Sequence, residues 1–263
     1  FKSISELRVA NNVIFYGFLM SKVALIVETR EHKALPFVLN NVMSILPDEY
    51  SLQIFHGTSN YDYILDSVEN DKVLNGKKIE FTNLGIDSIT ADDSSLEIML
   101  TIDFWEKVIG ETVLYFECDT MLCPNSEHKI QDFEDFDYIG GYWGNELGVM
   151  NQKYDKVMNG GLSLRKKSFM LDIIKNKLQP HLEMGGNPCE DYFVSEMAVN
   201  RPTYEQVLSF SIDNGYMYPL NNKAPFGLHA PWGKVKSKGH GKYYDRIKEV
   251  CNDVEELEKL NGL

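Results

Sequence analysis

Short apolar runs alternate with helical patterns along the first half of the chain. The runs predict buried strands at Val23–Val27, Ser51–Phe55, Lys78–Leu84 and Thr112–Phe116. Between them, apolar residues spaced three and four apart predict helices at His32–Leu46, Tyr61–Val68 and Ser95–Val108, the last capped by Ser94. This alternation predicts an α/β fold, with a mostly parallel, doubly wound (Rossmann-like) central sheet flanked by helices.

The second half of the chain has weaker alternation and is rich in Gly, Asn, Tyr and Trp. Its patterns predict short strands at Asp137–Ile139 and Gly161–Leu164, helices at Lys166–Leu178 and Asp191–Val199, and a charged helical tail at Tyr243–Leu260. Because no linker or repeat divides the chain, we interpret residues 1–263 as a single domain. Residues 1–125 would form one lobe, residues 126–240 a second lobe, and residues 241–263 the helical tail.

The acidic composition limits the classes of partner. The formal net charge is −13 and the pI is about 4.9, which disfavours a nucleic-acid partner because both surfaces would be negative. An acidic protein that binds a phosphate-bearing ligand needs a local cation, either a metal ion or a few Lys and Arg side chains.

Several features bear on the compartment. The apolar run Val13–Met20 is too short to cross a bilayer, and no signal peptide is recognised, so we favour a cytoplasmic location. A start at Phe1 rather than Met leaves room for further domains upstream. The four cysteines form no C-x-x-C pair, and Cys118, beside an apolar run, is expected to be a buried reduced thiol.

Two carboxylates follow the fourth predicted strand. Glu117 and Asp119 are two positions apart, so in extended backbone both side chains face the same side. Ligands of doubly wound sheets bind beyond the carboxyl ends of the strands. Such a pair repels unless a cation lies between the two groups, and Mg²⁺ or Mn²⁺ would also hold a diphosphate. The alternative is an acidic turn without a ligand.

Three later segments add candidate chemistry. His229 lies in a Gly- and Pro-containing loop, Phe226–Trp232, and is either a metal ligand or a buried histidine bonded to backbone. Paired glycines in Met158–Arg165 permit close approach to a ligand or simply form a tight turn. Glu190 and Asp191 begin a predicted helix, where the helix dipole already favours acidic residues.

In this order, the segments resemble those of metal-dependent GT-A glycosyltransferases. The resemblance spans residues 22–233, with Glu117 replacing the first Asp of the D-x-D motif. It implies that Asp119 binds the metal directly, that Glu117 contacts the donor ribose or the metal's water shell, and that His229 is a second metal ligand. An imidazole ligand favours Mn²⁺ over Mg²⁺.

The resemblance also assigns residues to the two substrates. Thr29 and Arg30 would hold the nucleotide, although Arg30 could equally form a surface ion pair. The remaining donor and acceptor contacts would come from Gly57, Asn60, Asn159, Gly160, Gly161, Tyr142, Trp143 and Trp232. Asp191 would be the general base toward the acceptor hydroxyl, with Glu190 as the alternative.

The implied activity is transfer of a sugar, with inversion expected and retention left open, from a nucleotide sugar such as a UDP-sugar to a hydroxyl of a glycan or protein. A sugar-1-phosphate nucleotidyltransferase would carry a Gly-rich loop after the first strand, but Glu28–His32 contains no glycine. A metal-dependent hydrolase would show a second ligand cluster. A non-catalytic module that binds nucleotide or glycan remains the main alternative.

Overall fold

The computed structural model describes residues 21–86, 98–142, 157–213, 223–232 and 241–263, the side chains of residues 241–243 excepted. Within these ranges the strands form one nine-stranded sheet. The strands are β1 Lys22–Glu28, β2 Tyr50–His56, β3 Ile79–Asn83, β4 Thr112–Phe116, β5 Thr120–Leu122, β6 Tyr138–Tyr142, β7 Met158–Lys166, β8 Ser211–Asp213 and β9 Gly227–His229. Their order across the sheet is β3-β2-β1-β4-β7-β6-β8-β9-β5.

The first four strands form the parallel half of the sheet in the order β3-β2-β1-β4. All four were predicted from their apolar runs, and β1 and β4 lie at the centre of the core. Val23–Ile26 and Val113–Leu114 have no exposed surface. Strands covered on both faces become continuous apolar runs, and this is why the sequence pattern located them.

The helices of the first half cover this parallel sheet. They are α1 Leu35–Ile45, α2 Tyr61–Glu69 and α3 Ile102–Lys107. Pro36 lies in the first turn of α1, where a missing N–H costs no hydrogen bond.

The prediction of one helix over Ser95–Val108 is wrong in its extent. Residues 87–97, with the predicted cap Ser94, lie outside the described residues. In the described part, Thr101 is extended, and its side chain accepts the Phe104 N–H at 3.3 Å. Thr101 is therefore the N-cap of α3, because its hydroxyl offers the backbone a competing partner.

The second half mixes parallel and antiparallel pairs. β7 runs antiparallel to both β4 and β6, whereas β6, β8 and β9 are parallel neighbours. β5 pairs antiparallel with β9 at the edge of the sheet. Because β7 is antiparallel to β4, it begins at the edge where the parallel strands end.

The helices of the second half are α4 Lys167–Ile173, α5 Gln179–Glu183, α6 Glu190–Met197, α7 Tyr204–Phe210, α8 Gly241–Val250 and α9 Val254–Leu260. The predicted end at Leu178 is wrong, since a π-helical turn at Ile174–Leu178 joins α4 to α5. Pro180 lies in the first turn of α5, where its missing N–H is tolerated.

The helical tail is fastened to the sheet near β5. A disulfide joins Cys123, directly after β5, to Cys251, directly after α8, with a Cα–Cα distance of 5.1 Å. The Asn261 side-chain amide also donates to the Cys118 carbonyl at 3.1 Å. Cys118 itself is buried and free, as predicted. No local cysteine spacing predicts this disulfide.

None of the helices in the described ranges combines the length and the apolar character needed to cross a bilayer.

Candidate metal centre and substrate site

The candidate site lies where the parallel strands end and β7 begins. Glu28 at the end of β1 is level with His56 at the end of β2. Phe116 at the end of β4 pairs with Leu162, the fifth residue of β7. The segments that follow β1, β2 and β4 therefore meet the first residues of β7 at one edge of the sheet. We call Asn159–Gly161 the glycine segment of β7.

A tight turn presents the two predicted carboxylates. The Glu117 carbonyl accepts hydrogen bonds from the Thr120 N–H at 3.1 Å and from the Thr120 hydroxyl at 2.7 Å. Thr120 then pairs with His229 across β5 and β9, and the Ala230 N–H donates to the Asp119 carbonyl at 3.0 Å. Strand pairing thus brings His229, which is distant in the sequence, to the two carboxylates.

Glu117, Asp119 and His229 can present their ligand atoms to one ion. One such atom from each residue lies within 4.8 Å of the others. His229 Nε2 is 3.3 Å from Asp119 Oδ1 and 3.5 Å from Glu117 Oε2. The other Glu117 oxygen, Oε1, accepts the Tyr115 hydroxyl at 3.1 Å, which orients that carboxylate.

Asp119 Oδ1 is buried and, apart from the 3.3 Å contact with His229 Nε2, has no hydrogen-bond partner among the described residues. An orphaned buried carboxylate oxygen is costly, and coordination of a cation would satisfy it. Two carboxylates and one imidazole are a donor set that suits a divalent ion such as Mn²⁺. The residues present therefore fit a metal ion.

Electrostatics in the cluster follow from this proximity. Burial favours the uncharged forms of Asp119 and His229, but their mutual attraction outweighs it in both cases. The attraction to His229 holds the pKa of the Asp119 carboxyl below its ordinary value. The carboxylates of Asp119, Asp213 and Glu117 together hold the pKa of His229 well above its ordinary value.

Asp213 is a residue of this cluster that the sequence analysis missed. Its Oδ1 lies 2.6 Å from His229 Nδ1, and its side chain is buried. The available signal was an acidic residue that ends the short run Ser211–Asp213, as Glu117 follows β4. That run has three residues, too few for a strand period to be recognised.

The glycine segment of β7 binds the carboxylate of Asp191. The Gly160 N–H donates to Asp191 Oδ1 at 2.8 Å, and the Asn159 amide is 3.4 Å from Asp191 Oδ2. The Gly161 N–H donates to Asn159 Oδ1 at 2.8 Å, which orders the segment. A Cβ on Gly160 would lie 2.8 Å from Asp191 Oδ1, so close approach explains this glycine.

Glu190 points into the core rather than toward the edge. It forms a fully buried ion pair with Arg165, whose guanidinium lies 5.3 Å from the ring centroids of both Tyr115 and Tyr138. Arg165 Nε also donates to the Ser163 hydroxyl at 2.8 Å. Both side chains lie close to Gly160, where a Cβ would come 2.5 Å from Arg165 Nη2 and 3.0 Å from Glu190 Oε2.

Asp191 is a mostly buried carboxylate. Burial, and next the charge of Glu190, raise the pKa of Asp191 well above its ordinary value. The Arg165 charge and the Gly160 N–H oppose that shift without cancelling it. A carboxylate tuned upward in this way is closer to the pKa useful for a general base at neutral pH.

The ends of β1 and β2 are cross-connected by Asn60. Its amide donates to the carbonyls of Glu28 and Arg30 at 2.9 and 3.0 Å, and its oxygen accepts the Gly57 N–H at 2.9 Å. Thr29 is buried between these loops. Arg30 forms a two-point ion pair with Glu28, both contacts at 2.8 Å, while 61% of its side chain stays exposed.

The aromatic residues assigned to substrate lie in different environments. Tyr142 is half-buried at the end of β6, with its ring 5.2 Å from that of Tyr204. Trp232 is 7% exposed, so it offers little ring surface to a ligand. Trp143 lies outside the described residues.

The sequence matches one known protein family. The family described as protein of unknown function DUF5672 matches residues 78–229, more than half of the chain. The chain belongs to this family. The DUF5672 segment contains Glu117, Asp119, Asp191 and His229. No functionally curated protein matches the sequence.

Solved glycosyltransferases share the fold of this DUF5672 member. The galactosyltransferase LgtC, in complex with donor and acceptor sugar analogues, is 13% identical with a TM-score of 0.54, over 87% of this chain and 96% of LgtC. The bifunctional glycosyltransferase WbbM is 11% identical with a TM-score of 0.52, over 92% of this chain and 52% of WbbM.

The glycosyltransferase GlyE from Streptococcus pneumoniae TIGR4 is 10% identical with a TM-score of 0.51, over 92% of this chain and 63% of GlyE. At these identities the likeness shows the fold, and the predicted GT-A fold is confirmed. It does not assign an activity, because one fold serves many functions.

Proposed function

We propose that this protein is a metal-dependent glycosyltransferase that moves a sugar from a UDP-sugar to a hydroxyl of a glycan or protein acceptor. The observation that carries the proposal is the cluster of Glu117, Asp119 and His229 at the carboxyl edge of a GT-A sheet. Ligands of such sheets bind at that edge.

Asp119 and His229 would hold a divalent cation, with Glu117 as a third ligand or as a contact to the donor. The carboxylate oxygen of Asp119 suits either Mn²⁺ or Mg²⁺, and the imidazole of His229 favours Mn²⁺. When bound, the cation neutralises the negative charge that develops on the departing nucleoside diphosphate. A protein of net charge −13 needs such a cation at the site.

The donor nucleotide would lie across the ends of β1 and β2. Asn60 fixes the two loops against each other, which holds the backbone around Thr29 and Gly57 in place. Arg30 is held by Glu28 but keeps most of its side chain exposed, and it can present a positive charge to the nucleotide.

Asp191 would remove the proton from the acceptor hydroxyl as the oxygen attacks the anomeric carbon from the side opposite the diphosphate, which inverts that carbon. The hydrogen bond from the Gly160 N–H fixes one oxygen of Asp191. Asn159, Gly160 and Gly161 line the approach to the transferred sugar. Tyr142 and Trp143 would form an aromatic platform for the acceptor or the sugar, whereas the buried Trp232 is not suited to this role.

Glu190 is less suited than Asp191 to the role of base. It has no exposed surface and is paired with Arg165. A buried, ion-paired carboxylate cannot reach an acceptor hydroxyl without breaking that pair. Its contribution is to hold Arg165 beneath the glycine segment.

Calorimetry with UDP, with and without Mn²⁺, tests the proposal. The wild-type protein is expected to bind UDP only with Mn²⁺, and Asp119→Ala should weaken that binding by roughly 100-fold, or about 2.7 kcal/mol. Glu69→Ala, which removes an exposed carboxylate at the end of α2, is the matched control. A donor-hydrolysis assay accompanies the titration.

The outcomes separate the candidate functions. Metal-dependent UDP binding with turnover supports the transferase. The same binding without turnover would favour a non-catalytic nucleotide-binding module. Absence of UDP binding in the wild-type protein would rule out both.

A further inference from the structure

His229 is held at both of its ring nitrogens. Nε2 faces Asp119 and Glu117, whereas Nδ1 lies 2.6 Å from Asp213 Oδ1. A carboxylate oxygen accepts hydrogen bonds, so this contact places the imidazole proton on Nδ1. In the neutral ring, Nε2 then presents its lone pair to the space between the two other carboxylates.

The backbone fixes the two partners relative to each other. Asp213 and His229 are direct neighbours in the parallel strands β8 and β9, so their side chains leave the sheet side by side. Asp213 has no exposed surface and His229 very little. The pairing therefore depends on the sheet, and not on a mobile loop.

Two glycines make room for this pair. A Cβ on Gly161 would lie 2.3 Å from His229 Nε2, closer than real Cβ atoms come to other atoms. A Cβ on Gly141 would lie 3.2 Å from the Asp213 Cβ, also a tight contact. The His229 ring thus rests on bare backbone of β7, and a side chain there would displace it.

We propose that Asp213 is a positioning residue that fixes the tautomer and orientation of His229 for a divalent cation, with Gly161 as the surface on which the ring rests. This inference depends on the proposed function, since it concerns the same metal centre. Carboxylates that receive the second N–H of a ligating histidine orient the ring and raise its basicity. Nothing in the known motifs of the sequence identified Asp213.

Titration with MnCl₂ alone, by calorimetry, tests the proposal without any activity assay. Asp213→Ala should weaken Mn²⁺ binding by about 10–100-fold. Asp213→Asn keeps a neutral oxygen acceptor at the same distance, so it should retain part of the affinity. Ser211→Ala is the control, because Ser211 lies on the same short strand and its hydroxyl has no partner among the described residues.

A second readout follows the histidine directly. The ¹⁵N chemical shifts of His229 in the metal-free protein, recorded at a pH high enough for its imidazole to be neutral, should show the Nδ1–H tautomer in the wild type and in Ser211→Ala. Asp213→Ala should lose that preference. Circular dichroism checks that each variant is folded. If Asp213→Ala does not fold, the Mn²⁺ affinity of Asp213→Asn is compared with that of Ser211→Ala instead, and a lower affinity in Asp213→Asn supports the positioning role.

Each outcome bears on a defined claim. A folded Asp213→Ala that binds Mn²⁺ as tightly as a Mn²⁺-binding wild type would overturn the positioning role alone. In the fallback case, equal Mn²⁺ affinity in Asp213→Asn and Ser211→Ala would do the same. A wild-type protein without measurable Mn²⁺ affinity would overturn both this inference and the proposed function.

Discussion

Arg165 and Glu190 form an ion pair that is buried completely beneath the glycine segment of β7. The Arg165 guanidinium also contacts the Gly160 carbonyl at 3.3 Å, the same residue whose N–H binds Asp191. The adjacent acidic residues at the start of α6 therefore differ in environment. Glu190 is part of the core, and Asp191 lies between the core and the edge of the site.

Removing one member of this pair should destabilise the protein strongly. Glu190→Gln leaves the Arg165 charge buried without its counter-charge, which typically costs about 3–5 kcal/mol. Replacing both residues, in Arg165→Met/Glu190→Gln, should cost less than the sum of the single changes. Urea unfolding of the two single variants and the double variant measures this coupling, and additive losses would contradict a coupled pair.

Asp191→Asn should leave UDP binding in the presence of Mn²⁺ unchanged and reduce sugar transfer by about 10²–10⁴-fold. The amide keeps the size of the side chain but cannot accept the proton of the acceptor hydroxyl. Steady-state transfer assays and UDP titrations on the same preparation measure the two effects. Asp172→Asn, an exposed site on α4, is the control, and undiminished transfer by Asp191→Asn would exclude Asp191 as the base.

The affinity for Mn²⁺ should rise with pH. A metal ligand must be neutral imidazole, and the carboxylates around His229 raise its pKa well above the ordinary value. Protons therefore compete with the ion up to a higher pH than at a free histidine. Because the pKa of Asp119 is lowered, that carboxyl stays ionised in this range.

Calorimetry from about pH 5.5 to 8.5, in buffers of different ionisation enthalpy, measures both the affinity and the proton released. The metal-free protein should show the opposite trend in stability. Because the pKa of His229 is raised in the folded protein, protonation of this ring contributes to the free energy of unfolding. That contribution is fully present below the unfolded-state pKa and is lost as pH rises through the folded-state pKa. In the Mn²⁺ titrations, His128→Gln should behave like the wild type. An Mn²⁺ affinity independent of pH would argue against His229 as a ligand.

Most of the parallel half of the sheet could be predicted from sequence because β1, β2 and β4 are largely buried on both faces and α1 has a clear period. Glu117 and Asp119 were found for the same reason, since they follow such a strand. β8 and β9 could not be found, because three residues carry no period. The contacts of Asp213 exist only once these short strands pair.

The burial of Glu190 could not be predicted from the sequence either. An acidic residue at a helix start is normally exposed, and only the buried Arg165 on β7 accounts for its inward direction. The Cys123–Cys251 disulfide is a third example, since its cysteines are 128 residues apart. No local spacing predicts such a long-range pair.

Loss of that disulfide should lower stability. It closes a loop of 128 residues, for which the reduced entropy of the unfolded chain corresponds to about 5 kcal/mol. Cys123→Ser/Cys251→Ser should therefore unfold at a lower urea concentration than the wild type under non-reducing conditions. Cys189→Ser removes a free cysteine and should match the wild type. Equal midpoints for the double variant and the wild type would show that the bond does not stabilise the fold.

The most direct test of the metal centre is the anomalous diffraction of a crystal grown with Mn²⁺ and UDP, recorded near the manganese edge. We expect one strong peak bound by Asp119 and His229, with Glu117 beside it and the two phosphates of UDP against the ion. Ordered UDP at the sheet edge with no manganese among these three side chains would contradict the account.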